Sequence, residues 1–261
     1  MRPLSSLDPA IARGMRGLLF DLDDTFLTHG VLTRVAYEAL WDLHDAKVRL
    51  VAVTGRPSGW GEVLVRQWPI DGAVTENGAV HIVRAGRGIA RREACSEGER
   101  RSRRIRLAQL IETVRGVVPE ARLADDVDAR RSDVTWDIGE RVSLPADRVA
   151  AITREVTAAG ARSTQSSVHV HATFDVDDKA SGAVSFLCQS FDEDAGAALG
   201  AYAFVGDSGN DAACFSAFRT TIGVANVAAY VRTLSVPPRF ITSSPMGEGF
   251  AEVAAALLAT R

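Results

Sequence analysis

Short apolar runs alternate with stretches of helical period at both ends of the chain, the pattern of βα units on a mostly parallel sheet. The first run is Gly17–Leu22, bounded by Arg16 and a carboxylate cluster. Thr33 then fits the N-cap of a helix over 34–47, with Val35, Leu40, Leu43 and Ala46 on its apolar face. Further runs at 48–53, 73–74, 201–205, 220–224 and 239–241 predict strands. Helical periods at 58–68 and 248–260 predict helices, and Trp41, Trp60 and Trp68 fall where they would pack.

The middle of the chain is different. Between about His81 and Val176 the runs are shorter and alternate, as in Ser167–Ala172, which predicts an antiparallel sheet with one wet face. At 261 residues the chain is long for one domain, and an insertion accounts for the change of pattern. The expected division is a core of residues 1–81 plus 177–261 and an inserted unit of 82–176. Nine arginines against three glutamates between Arg84 and Arg106 make a local basic cluster. It fits a solvated helix face with a mobile loop, and could also attract phosphorylated ligands or RNA.

Composition narrows the class of protein. A chain 46% hydrophobic and 24% charged can bury a core without disulfides or structural metal. The net charge of −3 gives no overall field for nucleic acid, so no nucleic-acid partner is expected. Cys95, Cys188 and Cys214 lack metal-type spacing, and free thiols fit a reducing, cytoplasmic location. No leader-like or membrane-length apolar segment is visible, so no membrane association is expected; oligomeric state leaves no mark.

Candidate chemistry lies at the strand ends. Asp21-Leu22-Asp23-Asp24-Thr25, Thr54-Gly55-Arg56 and Gly206-Asp207-Ser208-Gly209-Asn210-Asp211 each follow a strong apolar run. In open parallel sheets ligands bind outside the carboxyl ends, so neighbouring strands would bring these clusters into one crevice. Carboxylates gathered there repel unless a cation sits among them, and oxygen ligands without nearby His or Cys point to Mg²⁺. Asp21 and Asp23, two apart on an extended chain, would share a face, one as nucleophile and one as general acid/base. Alone, this motif would equally suit a turn cap. Gly-Asp-Ser-Gly fails the Gly-x-Ser-x-Gly elbow pattern of a serine hydrolase, and neither a P-loop nor a dinucleotide fingerprint is present.

In this order the clusters resemble the four motifs of the haloacid dehalogenase (HAD) superfamily, with Phe20–Thr25 as the first, Thr54-Gly55-Arg56 the second, Lys179 the third and Gly206–Asp211 the fourth. Glu76-Asn77-Gly78 and Val224-Ala225-Asn226 are similar to signatures of the branch with a large α/β cap. Ser166–His171 followed by Asp178-Lys179 is most similar to its sugar-phosphatase members. Phe26 stands where relatives commonly carry a leucine-type residue, a packing variation.

The resemblance implies an α/β protein: a Rossmann-like parallel-sheet core with an inserted α+β cap. It implies a Mg²⁺-dependent phosphatase acting on a small phosphorylated metabolite, a sugar phosphate above all. Asp21 would be the nucleophile and Asp23 the acid/base. Thr54 and Gly55 would donate to the phosphoryl oxygens and Lys179 would offset their charge. Asp21, Asp23 (through its carbonyl) and Asp207 would hold the metal, supported by Asn210 and Asp211. Arg56, Asn77 and Gly78 would contact substrate, as would His169 and His171 from the cap. His169 and His171 also sit at a zinc-compatible spacing but lack further local ligands. Trp136 and Asp137 could touch a sugar, though a buried tryptophan is the plainer expectation. A phosphomutase or a non-catalytic sensor of phosphorylated ligands are the alternatives.

Overall fold

The computed structural model describes residues 1–166 and 168–261; Ser167, expected at the start of a cap strand, lies outside them. A nine-stranded sheet runs in the order Arg2–Pro3, Phe240–Ile241, Thr220–Gly223, Tyr202–Gly206, Gly17–Phe20, Arg49–Val53, Gly72–Thr75, Val80–Ala85, Gly88–Glu93. Pairing is parallel up to Gly72–Thr75 and antiparallel in the last two strands.

Both faces of the central strands are covered, which is why they appear in the sequence as unbroken apolar runs. Leu18 and Phe20 pack with Leu40, Leu43 and Leu64 from helices Arg34–Asp45 and Ser58–Gln67, and with Phe250 from Met246–Leu258. Leu19, Val51 and Val53 face the other way, against Ala183, Phe186 and Ala198 of helices Lys179–Phe191 and Ala195–Ala201. Phe26 joins the first layer, with ring centroids 5.2 Å from Phe20 and 4.8 Å from Phe250.

Helix Arg34–Asp45 is capped as expected, Thr33 Oγ1 accepting from the Ala36 amide at 3.4 Å. Its buried stripe is Ala36, Ala39, Leu40 and Leu43. Val35 and Trp41 are instead 42% and 43% exposed, because each is turned off that row. Trp60 and Trp68 do pack against the core.

A second, antiparallel sheet has the order Arg122–Leu123, Asp133–Asp137, His169–Thr173, Arg162–Gln165. Helices Glu97–Val117 and Ala146–Ala158 cover one face, burying Val134, Trp136, Val170 and Ala172 with Leu110, Val114 and Ile152. The opposite face carries Asp133, Thr135, Asp137, His169, His171 and Thr173, all buried. The expected wet face is therefore covered, because it is turned toward the ends of the core strands.

The expected boundary at residue 82 falls inside Val80–Ala85, which pairs with Gly88–Glu93 on the large sheet and buries Val80 and Ile82 in the core. The elements of the smaller sheet begin only at Glu97, where Ser96 and Glu99 form a reciprocal capping box. The arginine-rich stretch holds the expected helix with a largely exposed arginine face, but a strand takes the place of the expected loop, and Arg100 is buried. Among the described residues no helix is long and apolar enough to cross a membrane.

Candidate active site

Three adjacent central strands end side by side, with Val205, Phe20 and Ala52 in register. Asp207, Asp21 and Thr54 follow directly, so the three polar clusters meet. After Asp21 the chain makes a tight turn over Leu22–Phe26, with Asp24 at φ 54°.

Lys179 comes from the first turn of its helix, where the Asp178 carboxylate accepts the amides of Ala180 (2.9 Å) and Ser181 (2.8 Å). This end of the helix is seated by the turn at Asn77-Gly78. Gly78, at φ 112°, lies against the Asp178 carbonyl where any side chain would collide. Asn77 and Gly78, expected to touch substrate, are buried, Gly78 against Asp178 and the Asn77 amide behind Gly55, and of these only Gly55 lines the cleft.

Lys179 Nζ donates to Asp21 Oδ1 and to Asp211 Oδ1, both at 2.7 Å. Asp211 Oδ2 accepts the amides of Asp207 (3.0 Å) and Ser208 (3.2 Å), and a side chain at Gly206 would strike this carboxylate. Asp207 is held by Asn226 Nδ2 (3.0 Å) and Thr25 Oγ1 (3.4 Å). Carboxylate oxygens of Asp21, Asp207 and Asp211 all lie within 4.8 Å of one another, and all three residues are buried.

Burial opposes the Lys179 charge, but Asp21 and Asp211 carry its pKa well above the ordinary lysine value. Burial pushes Asp21 up to about 7 against the pull of Lys179, with Asp211 and Asp23 adding to the rise. Burial, Asp211 and Asp21 push Asp207 up to about 8. Three carboxylates against one ammonium leave a deficit of two positive charges, which a divalent ion would fill. Asp21 and Asp207 would hold it. Asp211 is committed to Lys179 and to backbone amides, and Asn210 Oδ1 accepts from Ser208 at 2.8 Å, so both would support an ion rather than ligate it.

The Asp23 side chain is gripped by Arg56, with Nη2–Oδ1 at 2.7 Å and Nε–Oδ2 at 2.9 Å, which leaves only its backbone carbonyl for a metal. The Arg56 guanidinium lies 4.4 Å from the Trp60 ring centroid, which fixes its direction. Thr54 is buried, its Oγ1 accepting the Arg56 amide at 3.1 Å.

The smaller sheet closes the other side of a cleft of about 340 Å³. His169 and His171 line it, with Nε2 of His169 2.9 Å from Glu140 and Nδ1 of His171 3.1 Å from Asp133. Asp137 accepts the amides of Gly139 (3.0 Å), Glu140 (2.8 Å) and Arg141 (2.9 Å), shaping the loop that carries Glu140. Trp136 is in the hydrophobic cluster beneath the smaller sheet's helices.

Several lining residues carry no signal in the sequence: His29, Arg130, Glu140 and Tyr230. Arg130 Nη1 donates to the Gly55 carbonyl at 3.0 Å, tying the unit around the smaller sheet to the larger sheet. Glu76 makes the reciprocal tie, its carboxylate accepting the amides of Ser58 (2.9 Å), Arg131 (3.0 Å) and Ser132 (2.5 Å).

No family model matches the chain, and no curated protein matches it. Solved structures do. A Thermoplasma acidophilum protein, 0175, superposes with TM-score 0.74 at 16% identity, covering 94% of this chain and 98% of that one. BT1666 from Bacteroides thetaiotaomicron, described among phosphatases of the HAD superfamily, gives 0.63 at 17% identity and 98% of both chains. The fold is the HAD fold. The sucrose-phosphatase of Synechocystis sp. PCC6803, solved with sucrose and phosphate, shares it at TM-score 0.66 and 15% identity over 93% of this chain and 98% of that one. In this fold the three polar clusters meet at the carboxyl ends of the central strands, with Lys179 reaching them from the start of its helix.

Proposed function

We propose that the protein is a Mg²⁺-dependent phosphatase that hydrolyses the phosphate monoester of a small metabolite, a sugar phosphate above all, through an aspartyl-phosphate on Asp21. The observation that carries this reading is the buried Asp21–Lys179–Asp211 bridge beside Asp207, a charge-deficient cluster at the strand ends. The HAD phosphatases of the same fold support it, and the unit around the smaller sheet, from about Glu97 to Asp175, serves as the substrate-selecting cap.

Asp21 attacks phosphorus through its free oxygen while its other oxygen stays on Lys179. As the ester P–O bond breaks, Asp23 gives a proton to the departing alkoxide. Asp23 then takes a proton from a water that attacks the phosphorus, releasing phosphate and restoring Asp21. A phosphoryl group entering the cleft competes for the Arg56 guanidinium, which frees Asp23 for this work. Thr54, buried at the strand end beside Asp21, would donate its hydroxyl to a phosphoryl oxygen. Mg²⁺ bound by Asp21 and Asp207 would supply the positive charge that lets a carboxylate approach an anionic phosphoryl group.

Asp23 is 44% exposed at its side chain, so water reaches the acid/base position, which favours hydrolysis over transfer to a second hydroxyl in a phosphomutase. Release of phosphate from p-nitrophenyl phosphate and from a panel of phosphorylated sugars, with Mg²⁺ present, tests the reading. Turnover by the native chain and none by Asp21→Asn is expected. Failure of the native chain to release phosphate from any ester would leave a sensor of phosphorylated ligands, and turnover only with a bisphosphorylated activator would leave a mutase.

A further inference from the structure

The arginine-rich stretch takes no part in the cleft. On helix Glu97–Val117 the spacing of Arg101, Arg104 and Ala108 puts them on one face. Together with Arg91 of the core strand Gly88–Glu93 and Arg131 of the cap, that face lines a groove of about 860 Å³ where the two sheets join. Five guanidinium groups line it against two carboxylates, Glu93 and Glu97.

Arg100 is spent, held by Glu93 at 2.6 Å and Asp175 at 2.5 Å. The other four retain donors. Arg91 uses Nη1 on Glu62 (2.7 Å) and Arg131 uses Nε on Glu93 (2.6 Å). Arg104 uses Nη1 on the Arg130 carbonyl (2.8 Å), and Arg101 is exposed with no ion pair among the described residues. Forked cations around one concavity suit phosphate oxygens, and Arg101 and Arg104 have no carboxylate partner among the described residues. Ile105, 57% exposed, offers an apolar shelf beside them.

We infer that this groove binds a polyphosphorylated small molecule, and that the bound molecule holds the cap against the core. Arg91 belongs to the core sheet, while Arg101 and Arg104 ride on the cap helix, so one ligand touching both bridges the joint. The path to the cleft is short: Arg104 holds the Arg130 carbonyl, and Arg130 holds the Gly55 carbonyl. An extended nucleic acid fits less well. No aromatic side chain among the described residues lines the groove for bases to stack on, and Glu93 and Glu97 interrupt the positive charge. Binding stands apart from the phosphatase reading; the effect on closure rests on it.

The binding test uses inorganic tripolyphosphate, titrated calorimetrically into the full chain carrying Asp21→Asn, with excess Mg²⁺. Replacing Arg91 and Arg101 by glutamate on that background should weaken binding by about tenfold or more. Should the double variant fail to fold, Arg101→Ala must weaken binding instead. Undiminished affinity in the folded variant overturns the assignment, as does tighter, steeply salt-dependent binding of an oligouridylate. For closure, tripolyphosphate should lower the KM for p-nitrophenyl phosphate in the native chain and leave the Arg91→Glu/Arg101→Glu enzyme unaffected. Equal competitive inhibition of both proteins would place the anion in the cleft and overturn the coupling.

Discussion

Two cations are buried on either side of the cleft, and they are buried differently. Lys179, from the core, bridges Asp21 and Asp211 at 2.7 Å, yet a third carboxylate, Asp207, remains uncompensated beside it. Arg130, from the cap, spends its donors on Asp126 (3.0 Å), Asp133 (3.0 Å) and the Gly55 carbonyl (3.0 Å). Both side chains are 1% exposed, so burial does not distinguish them. The pairing of each carboxylate does. Asp207 in the core cluster has no cation partner and is open to a ligand, whereas both carboxylates around Arg130 are paired to it and its remaining donor holds the Gly55 carbonyl, so this cluster acts as a fastening. A buried ion pair marks reactive chemistry where a neighbouring charge is left without a partner.

The sharpest test of that contrast is to remove one charge from each cluster. Asp21→Asn is expected to lower kcat by about 10⁴-fold or more, since a lost nucleophile is not replaced by its neighbours. It should leave the metal-free protein at least as stable as before, because it relieves like-charge repulsion with Asp207 and Asp211. Urea unfolding of the two proteins checks the second half, and a clear loss of stability would contradict the charge deficit. Arg130→Met should behave in the opposite way. Leaving Asp126 and Asp133 without their partner costs about 3–5 kcal/mol in unfolding free energy, while p-nitrophenyl phosphate turnover by the folded fraction persists.

Glu76 extends the fastening from the core side. Its replacement by alanine strands the amides of Ser58, Arg131 and Ser132, an expected cost of about 3 kcal/mol by denaturant unfolding. Burial, with Asp133 adding, raises the Glu76 pKa, so Glu76→Gln should recover part of that cost. Loss of activity with unchanged stability in Glu76→Ala would move Glu76 from the joint to the chemistry.

How much of this was legible in the sequence follows from where each side chain gets its meaning. Asp21, Thr54 and Asp207 stood out because a strand buried on both faces is an unbroken apolar run with an abrupt polar end. Lys179 carried no such signal and was placed by resemblance alone. Val35 and Trp41 were misassigned because a helix turns about 100° per residue, so one position moves a side chain off the buried row. The hairpin Val80–Glu93 alternates like the cap strands, and only its pairing with Gly72–Thr75 shows it to belong to the larger sheet. Arg130 and Glu140 are single charged residues in a charged segment, and nothing local distinguishes a fastening or a lining residue from a solvated one.

The smallest expected effect separates the cap cluster from the core cluster by pH. Burial lowers the His171 pKa below the ordinary 6.5, with Arg130 and His169 adding to the fall and Asp133 opposing it. Below about pH 6.5 the unfolded chain therefore takes up a proton that folded His171 resists. Its contribution to stability is present at pH 7 and is lost as pH falls, by at most about 1.4 kcal/mol per pH unit. Asp21 and Asp207 act in the other direction: their raised values favour the folded state at low pH, and that gain is lost as pH rises from about 4 through about 7 and 8. A whole-protein pH profile mixes the two, but a difference between proteins does not. Comparing native chain and His171→Gln at fixed Mg²⁺ cancels the core carboxylates, and the native chain should lose more stability between pH 7 and pH 5.5 than the variant. Parallel profiles would mean that His171 is as easily protonated folded as unfolded, and that the cap cluster is less saturated than its hydrogen bonds to Asp133 and Thr135 imply.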